Sequence, residues 1–327
     1  MLSPAGTNPQ VTGDAVGADV LYGAGRVARL DSAGAVRATE VALPAGSTPA
    51  AIVRAGAITW ALSSAAGVAR LQRIEADGSL GAAWVVGTGQ AIEGGLAYHA
   101  ASDTLGVLRD SGGSLIASRV VASTGAVTDE TVGPSVDFLV VPAIAARDAS
   151  SSAAFTVVYA SEVATYSYVV WARDVAPLGA RVMLAPSGAA SRTALHVAPT
   201  STAGTLVAVW LESDGVHAAT LDAATVPTTL GGIFAPPAGG SIARVTAQPG
   251  AIGFDLVLDR TDASSMREIA VVGCTLSGMP AIPAMRVAPV CAPGLSEGRV
   301  SFVAAGGVRR ASWIDLGVGG RAIVATF

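Results

Sequence analysis

The sequence predicts an all-β chain on three observations: short strand-like runs, no helical periodicity, and turn residues that recur at a regular spacing. The runs AITWALSS (57–64), AFTVVYAS (154–161), TLVAVWLES (205–213) and GFDLVLDR (253–260) are rich in Val, Ile, Thr and aromatics, and Gly, Pro, Ser and Asp bound them. No segment of about a dozen residues keeps apolar positions at i, i+3, i+4 and i+7 behind a recognisable cap. Composition narrows the class further. Apolar residues are 51% of the chain, charged residues 13%, and mean hydropathy is +0.54. Such a chain can bury enough apolar surface to offset its ordering entropy, which excludes disorder, and it lacks the heptads of a coiled coil. The longest apolar stretch, FLVVPAIAA at 138–146, is broken by Pro142 and is too short for a membrane helix of about 18 residues or more. A net charge of −4 is too mild to imply a nucleic-acid or anionic-membrane partner.

The units follow one another along the chain. A strand, a Gly- or Pro-marked turn and a second strand appear as ARLDSAGAV (28–36), QRIEADGSL (72–80) and SRVVASTGAV (118–127). The pattern returns as ARDVAPLGA (172–180), AATLDAATVPT (218–228) and VVGCTLSGMPA (271–281). Its turn residues Gly34, Gly78, Gly125, Gly179, Pro227 and Gly278 are spaced by about 49 residues on average, the period of a four-stranded β-propeller blade. The clearest unit reads as strands at 50–55, 57–64, 68–75 and 80–86, whereas the inner strands of the first (4–23) read weakly. The only Asn is Asn8, so turns that need positive φ rely on Gly. One further period after Gly278 ends at Phe327. The expectation is therefore a single propeller over 1–327 with seven blades of four short antiparallel strands, the last blade lacking its fourth. Six blades with an N-terminal closing hairpin is the alternative.

ARLDSAGAV resembles the R-L-D-x-x-G-x-V strand of bacterial secreted β-propeller repeat proteins; QRIEADGSL and SRVVASTGAV fit it in part. The Trp-Asp dipeptide, the kelch glycine pair and the Asp-box are absent, so the resemblance implies a fold and carries over no functional residues. The N-terminus, MLSPAGTNPQ, has no basic and apolar leader. For a Ser-, Thr- and Gly-rich all-β chain the expectation is nevertheless an extracytoplasmic location, with the leader trimmed.

Several motifs have a plainer reading beside the functional one. GLSEG (294–298) has the G-x-S-x-G form around Ser296, but a strand-like stretch follows it and no His lies beyond His217 to accept the serine proton. Cys274 and Cys291 have no metal-ligand spacing, and hairpin register sets Cys274 opposite about Ile282, which reads as two buried thiols. Trp60, Trp210 and Trp313 on second strands, Trp171 on a third and Trp84 on a fourth read as fillers of the wedges between blades. His99 and His196 fall on innermost strands of the third and fifth units, where they would line a channel and could approach to bind a metal or exchange protons.

One pattern recurs at strand ends. Second strands finish in an acid: Asp110, Glu162, Glu212 with Asp214, Asp259 with Asp262, and Asp315. In a propeller these ends share a face with the blade-to-blade connections, so an acidic rim is expected there. It would favour a basic partner or a weakly held Ca²⁺ over an anion; the same acids also solvate turns and discourage edge pairing. The functional expectation is a non-catalytic binding or scaffolding propeller with no resident cofactor and with a protein or glycan partner. A propeller-type hydrolase or lyase acting on glycans is the alternative, although three His and five Tyr leave little from which to build its site.

Overall fold

The computed structural model describes residues 10–13, 16–33, 35–37, 40–134, 140–164, 167–188, 193–262, 264, 267–290, 301–305, 308–315 and 321–326. The first sheet is β1 (Gln10–Gly13), β2 (Gly17–Tyr22), β3 (Arg26–Asp31) and β4 (Val41–Ala42). The second is β5 (Thr48–Ala55), β6 (Ile58–Ala65), β7 (Val68–Ile74) and β8 (Leu80–Thr88). The third is β9 (Gln90–His99), β10 (Thr104–Ser111), β11 (Ser114–Val121) and β12 (Val127–Pro134), with a 3₁₀ turn at Ala100–Ser102. The fourth is β13 (Ala143–Ala146), β14 (Phe155–Ala164), β15 (Ser167–Val175) and β16 (Arg181–Gly188). The fifth is β17 (Thr193–Pro199), β18 (Leu206–Glu212), β19 (Gly215–Leu221) and β20 (Pro227–Phe234). The sixth is β21 (Ser241–Pro249), β22 (Gly253–Thr261), β23 (Arg267–Thr275) and β24 (Pro280–Val290). The chain then forms β25 (Ser301–Ala305), β26 (Val308–Asp315) and β27 (Arg321–Thr326).

Every sheet is an antiparallel meander in chain order. First strands pack side by side, β1 on β5, β5 on β9, β9 on β13, β13 on β17, β17 on β21, β21 on β25 and β25 on β1, so they stand innermost around one axis. This is a single β-propeller. Among the described residues six sheets have four strands, the count held as the alternative. The expected seven blades are not supported among the described residues, where β25, β26 and β27 form a three-stranded sheet beside the six four-stranded ones.

The hydrophobic core is divided into wedges, since each twisted sheet buries its faces against its two neighbours. Trp60 fills the wedge between the second and third blades, Tyr159 and Phe155 that between the third and fourth, Trp210 the next, and Phe254 the one after. Small residues set how closely sheets approach. A Cβ at Gly106 would lie 2.8 Å from both Ile144 Cδ1 and Phe155 Cδ1 on the adjacent blade. Gly125 has φ +73° and carries the Trp84 ring, whose nearest atoms would stand 2.5 Å from an added Cβ. Both positions require glycine, one for space alone and the other for space and conformation.

Buried arginines cross the junctions. Arg29 bonds Asp19 in its own sheet (3.0 Å) and reaches the carbonyls of Glu75 and Ala76 in the next (2.8 and 2.6 Å). Arg109 lies against Gly87 and donates to Ser118, to Asp129 and to the Thr88 carbonyl of the preceding blade. Arg147, its side chain fully buried, donates to Thr156 (2.7 Å) and Asp174 (3.4 Å) in the fourth blade. Across the junction it donates to the Asp222 carbonyl (2.6 Å), the Gly204 carbonyl (3.3 Å) and Thr225 Oγ1 (2.6 Å) of the fifth. Each guanidinium thus exchanges water for fixed acceptors, which makes the burial of a charge tolerable.

Candidate functional site

The site is built by the hairpin β18–β19. Glu212 pairs with Gly215, so the turn is the two residues Ser213–Asp214. The same register sets Trp210 opposite His217, and side chains directly opposite share a face of the sheet. Their rings stack with centroids 6.2 Å apart and planes 27° apart. Glu212 follows Trp210 by two and returns to that face; the Trp210 Nε1–H donates to Glu212 Oε1 at 2.8 Å. Asp214 folds back from the turn and accepts from His217 Nε2 at 2.7 Å, while His217 Nδ1 faces Glu212 Oε1 at 3.9 Å. The hydrogen bond from His217 holds the Asp214 carboxyl below the usual carboxylate range. Trp210 is buried, His217 and Glu212 are partly so, and Asp214 is open to solvent.

The fourth strand completes the setting. His217 pairs with Gly232 of β20, where no side chain stands. A Cβ there would lie 3.6 Å from His217 Nε2 and 3.9 Å from Asp214 Oδ2, so the glycine leaves a space beside both groups. One ligand atom from each of Glu212, Asp214 and His217 lies within 4.8 Å of the other two.

The remaining expected residues are placed as follows. Asp110 and Glu162 stand near the ends of β10 and β14, half-buried and exposed respectively. Asp259 is only 1% exposed, whereas Glu162, equally two residues inward from its strand end, is exposed; Asp259 is not a surface acid, which corrects its assignment to a rim. Asp262 accepts from the backbone N–H and hydroxyl of Ser264 in a local turn. Asp315 closes β26 by position, and its side chain lies outside the described residues, as do Ser296 and Cys291.

His99 and His196 each serve a blade junction. His99 is buried; its Nδ1 shares a 2.6 Å hydrogen bond with Ser102 Oγ and its ring meets Phe155 of the next blade edge-on at 5.9 Å. Its Nε2 is buried without a partner among the described residues, and desolvation holds its pKa below the ordinary imidazole value. His196 Nδ1 accepts from the Ala247 N–H of β21 at 3.2 Å. Cys274 is buried, and that pushes its thiol up to about 12. It pairs with Pro280, whereas Val290 lies opposite Arg267 at the far end of β23, seven residues and about 23 Å away at ~3.3 Å per residue.

Two features went unread in the sequence. One is His217: only folding WLESDGVH about a two-residue turn sets it beside Trp210 and Glu212. The arginine clamps have partners up to 78 positions away, for which no local signal exists.

No family model matches the chain, and no curated protein matches it. Among solved structures it is similar to a chain of Kuenenia stuttgartiensis hydrazine synthase, with 12% identity over 100% of this chain and 97% of that one and a TM-score of 0.63. It is similar to the Dos1 propeller at 11% identity, covering 99% and 93%, with a TM-score of 0.57. A prolyl endopeptidase structure matches at 13% identity and TM-score 0.58 over 98% of this chain, which spans only 46% of that protein. These likenesses show the β-propeller fold and single out no family within it. Among the described residues no helix is long and apolar enough to cross a membrane.

Proposed function

We propose that this chain is a non-catalytic β-propeller that binds or scaffolds a basic protein segment through the face on which its second strands end. One observation carries the reading: Asp110, Glu162 and Glu212 lie within two residues of the ends of β10, β14 and β18 in three consecutive blades, and Asp214 sits in the turn that follows Glu212. The repeated connectivity gives equivalent strands one direction, so these carboxylates share an end of the propeller. Single exposed pairs are worth about 0–1 kcal/mol, so the effect is collective, a negative field that steers and retains a cationic partner. A loosely held Ca²⁺ is the ionic counterpart, and no tightly bound cofactor enters the reading. The Ser-, Thr- and Gly-rich all-β composition supports a location outside the cytoplasm.

The test is fluorescence anisotropy with a labelled Arg/Gly peptide. Binding is expected at an ionic strength of about 0.01 M, weakening about tenfold or more by about 0.15 M as the Debye length shrinks from ~30 to ~8 Å. The combined Asp110→Asn, Glu162→Gln and Glu212→Gln variant should lose most of that binding. A peptide that does not bind at low salt, or that binds this variant equally well, overturns the reading.

A further inference from the structure

We infer that Glu212, Asp214 and His217 form a discrete binding site for one divalent transition metal of the Zn²⁺ class. The inference is separate from the acidic face, because it rests on an imidazole and on the space beside it. The donor set is one nitrogen and two carboxylates, which suits Zn²⁺ better than the all-oxygen shells of Ca²⁺ or Mg²⁺. Two carboxylates and a neutral imidazole also balance a dication's charge. Their ligand atoms, within 4.8 Å of one another, need only a small inward movement to reach bonds of about 2.0–2.2 Å. The residue best placed to move is Asp214, whose side chain is 70% exposed at the tip of the turn.

Three surroundings distinguish this cluster from the other acid-bearing turns. Asp31, Asp148 and Asp222 each spend a carboxylate oxygen on backbone N–H groups of their own loops. Asp214 instead gives its oxygen to an imidazole that is itself a ligand. The Trp210 indole fixes the other two members, stacking on His217 and donating to Glu212, as partners behind a metal ligand do. Gly232, the cross-strand neighbour of His217, leaves open the side of the ring that carries Nε2, beside the Asp214 carboxylate. The metal would replace the Nε2–Asp214 hydrogen bond and keep positions for water or for a donor from a bound partner.

The experiment is calorimetric titration of the whole chain with ZnCl₂ near neutral pH, alongside CaCl₂. One Zn²⁺ per chain is expected, with affinity at least tenfold above that for Ca²⁺. His217→Ala should weaken Zn²⁺ at least tenfold while leaving every carboxylate of the acidic face in place, so a failure here is distinct from a failure of the peptide experiment. Glu212→Gln keeps an oxygen for the Trp210 indole and should also weaken Zn²⁺ about tenfold, which guards against a folding defect in the histidine variant. Asp77→Asn, in a turn of the second blade, should leave the titration unchanged. No saturable Zn²⁺ binding, or Zn²⁺ binding that survives both His217→Ala and Glu212→Gln in chains with unaltered circular dichroism, overturns the inference.

Discussion

At one end of the fifth blade the Arg147 guanidinium is sealed among Gly204, Asp222 and Thr225 of that blade and Thr156 and Asp174 of its neighbour. At the other end, where β18 runs out into its turn, Glu212, Asp214 and His217 meet at the surface with Trp210 behind them. Both places gather ionisable side chains, yet they do opposite work. Arg147 has its Nε and both terminal nitrogens committed to fixed acceptors, and two threonine hydroxyls bridge it to Asp174. The hairpin leaves Asp214 largely in water and sets a glycine where a side chain would have closed the space. A sealed charge network stiffens a junction; a half-open one keeps coordinating capacity for a ligand.

The sharpest way to break that comparison is Arg147→Met. It leaves Asp174, whose side chain is 14% exposed, without its cation and strips acceptors on both blades of their donor. Breaking a buried pair from one side costs about 3–5 kcal/mol, so a loss of that size is expected in urea unfolding. The loss should persist in high salt, because solvent ions do not reach the site. A loss below about 1 kcal/mol would mean that the network is a passive contact and the contrast between the two ends is false.

His99 sharpens the comparison from the neutral side, since it is buried, near Asp148, and makes no ion pair among the described residues. Desolvation lowers its folded-state pKa below the unfolded value near 6.5, so the unfolded chain takes up the proton first. Its contribution is complete above the ordinary imidazole value and declines as the pH falls from there through the lower folded value. Melting temperatures between about pH 7.5 and pH 5 should therefore fall more steeply for the natural chain than for His99→Asn, which keeps a polar atom for Ser102. Parallel slopes would show that the ring is solvated in the folded state.

The architecture was legible because it rests on local chemistry. The expected strands 57–64 and 68–75 are β6 and β7 to within one residue, since alternation and glycine turns act over a few positions. The turn glycines Gly78, Gly125 and Gly278 do take positive φ. The strand-end acids were found through the same period, but Asp259 shows its limit: Glu162 stands equally far from its strand end and is exposed, so burial depends on what packs over the position and not on its place in the strand. Placing His217 against Trp210 required the turn length as well as the strands. Arg147 meets Thr225 only through the packing of two whole blades, which no spacing along the chain records.

The smallest effect expected is Asp214→Asn, and it tests the open end directly. Hydrogen bonding to His217 lowers the Asp214 pKa on folding, so the carboxylate stabilises the folded chain above the ordinary carboxylate range. That contribution is lost as the pH falls through the lower folded-state value, because protonation removes the charge that accepts the imidazole hydrogen bond. An exposed pair of this kind is worth less than about 1 kcal/mol, and an amide oxygen in its place still accepts from Nε2. Urea unfolding should therefore show a deficit of a few tenths of a kcal/mol near pH 7, closing as the pH falls through the lowered folded-state value. Salt should shrink this deficit while leaving that of Arg147→Met intact, since one pair faces solvent ions and the other does not. A deficit of several kcal/mol, insensitive to salt, would place Asp214 in a sealed network like that of Arg147 and remove the open end on which ligand binding at this hairpin depends.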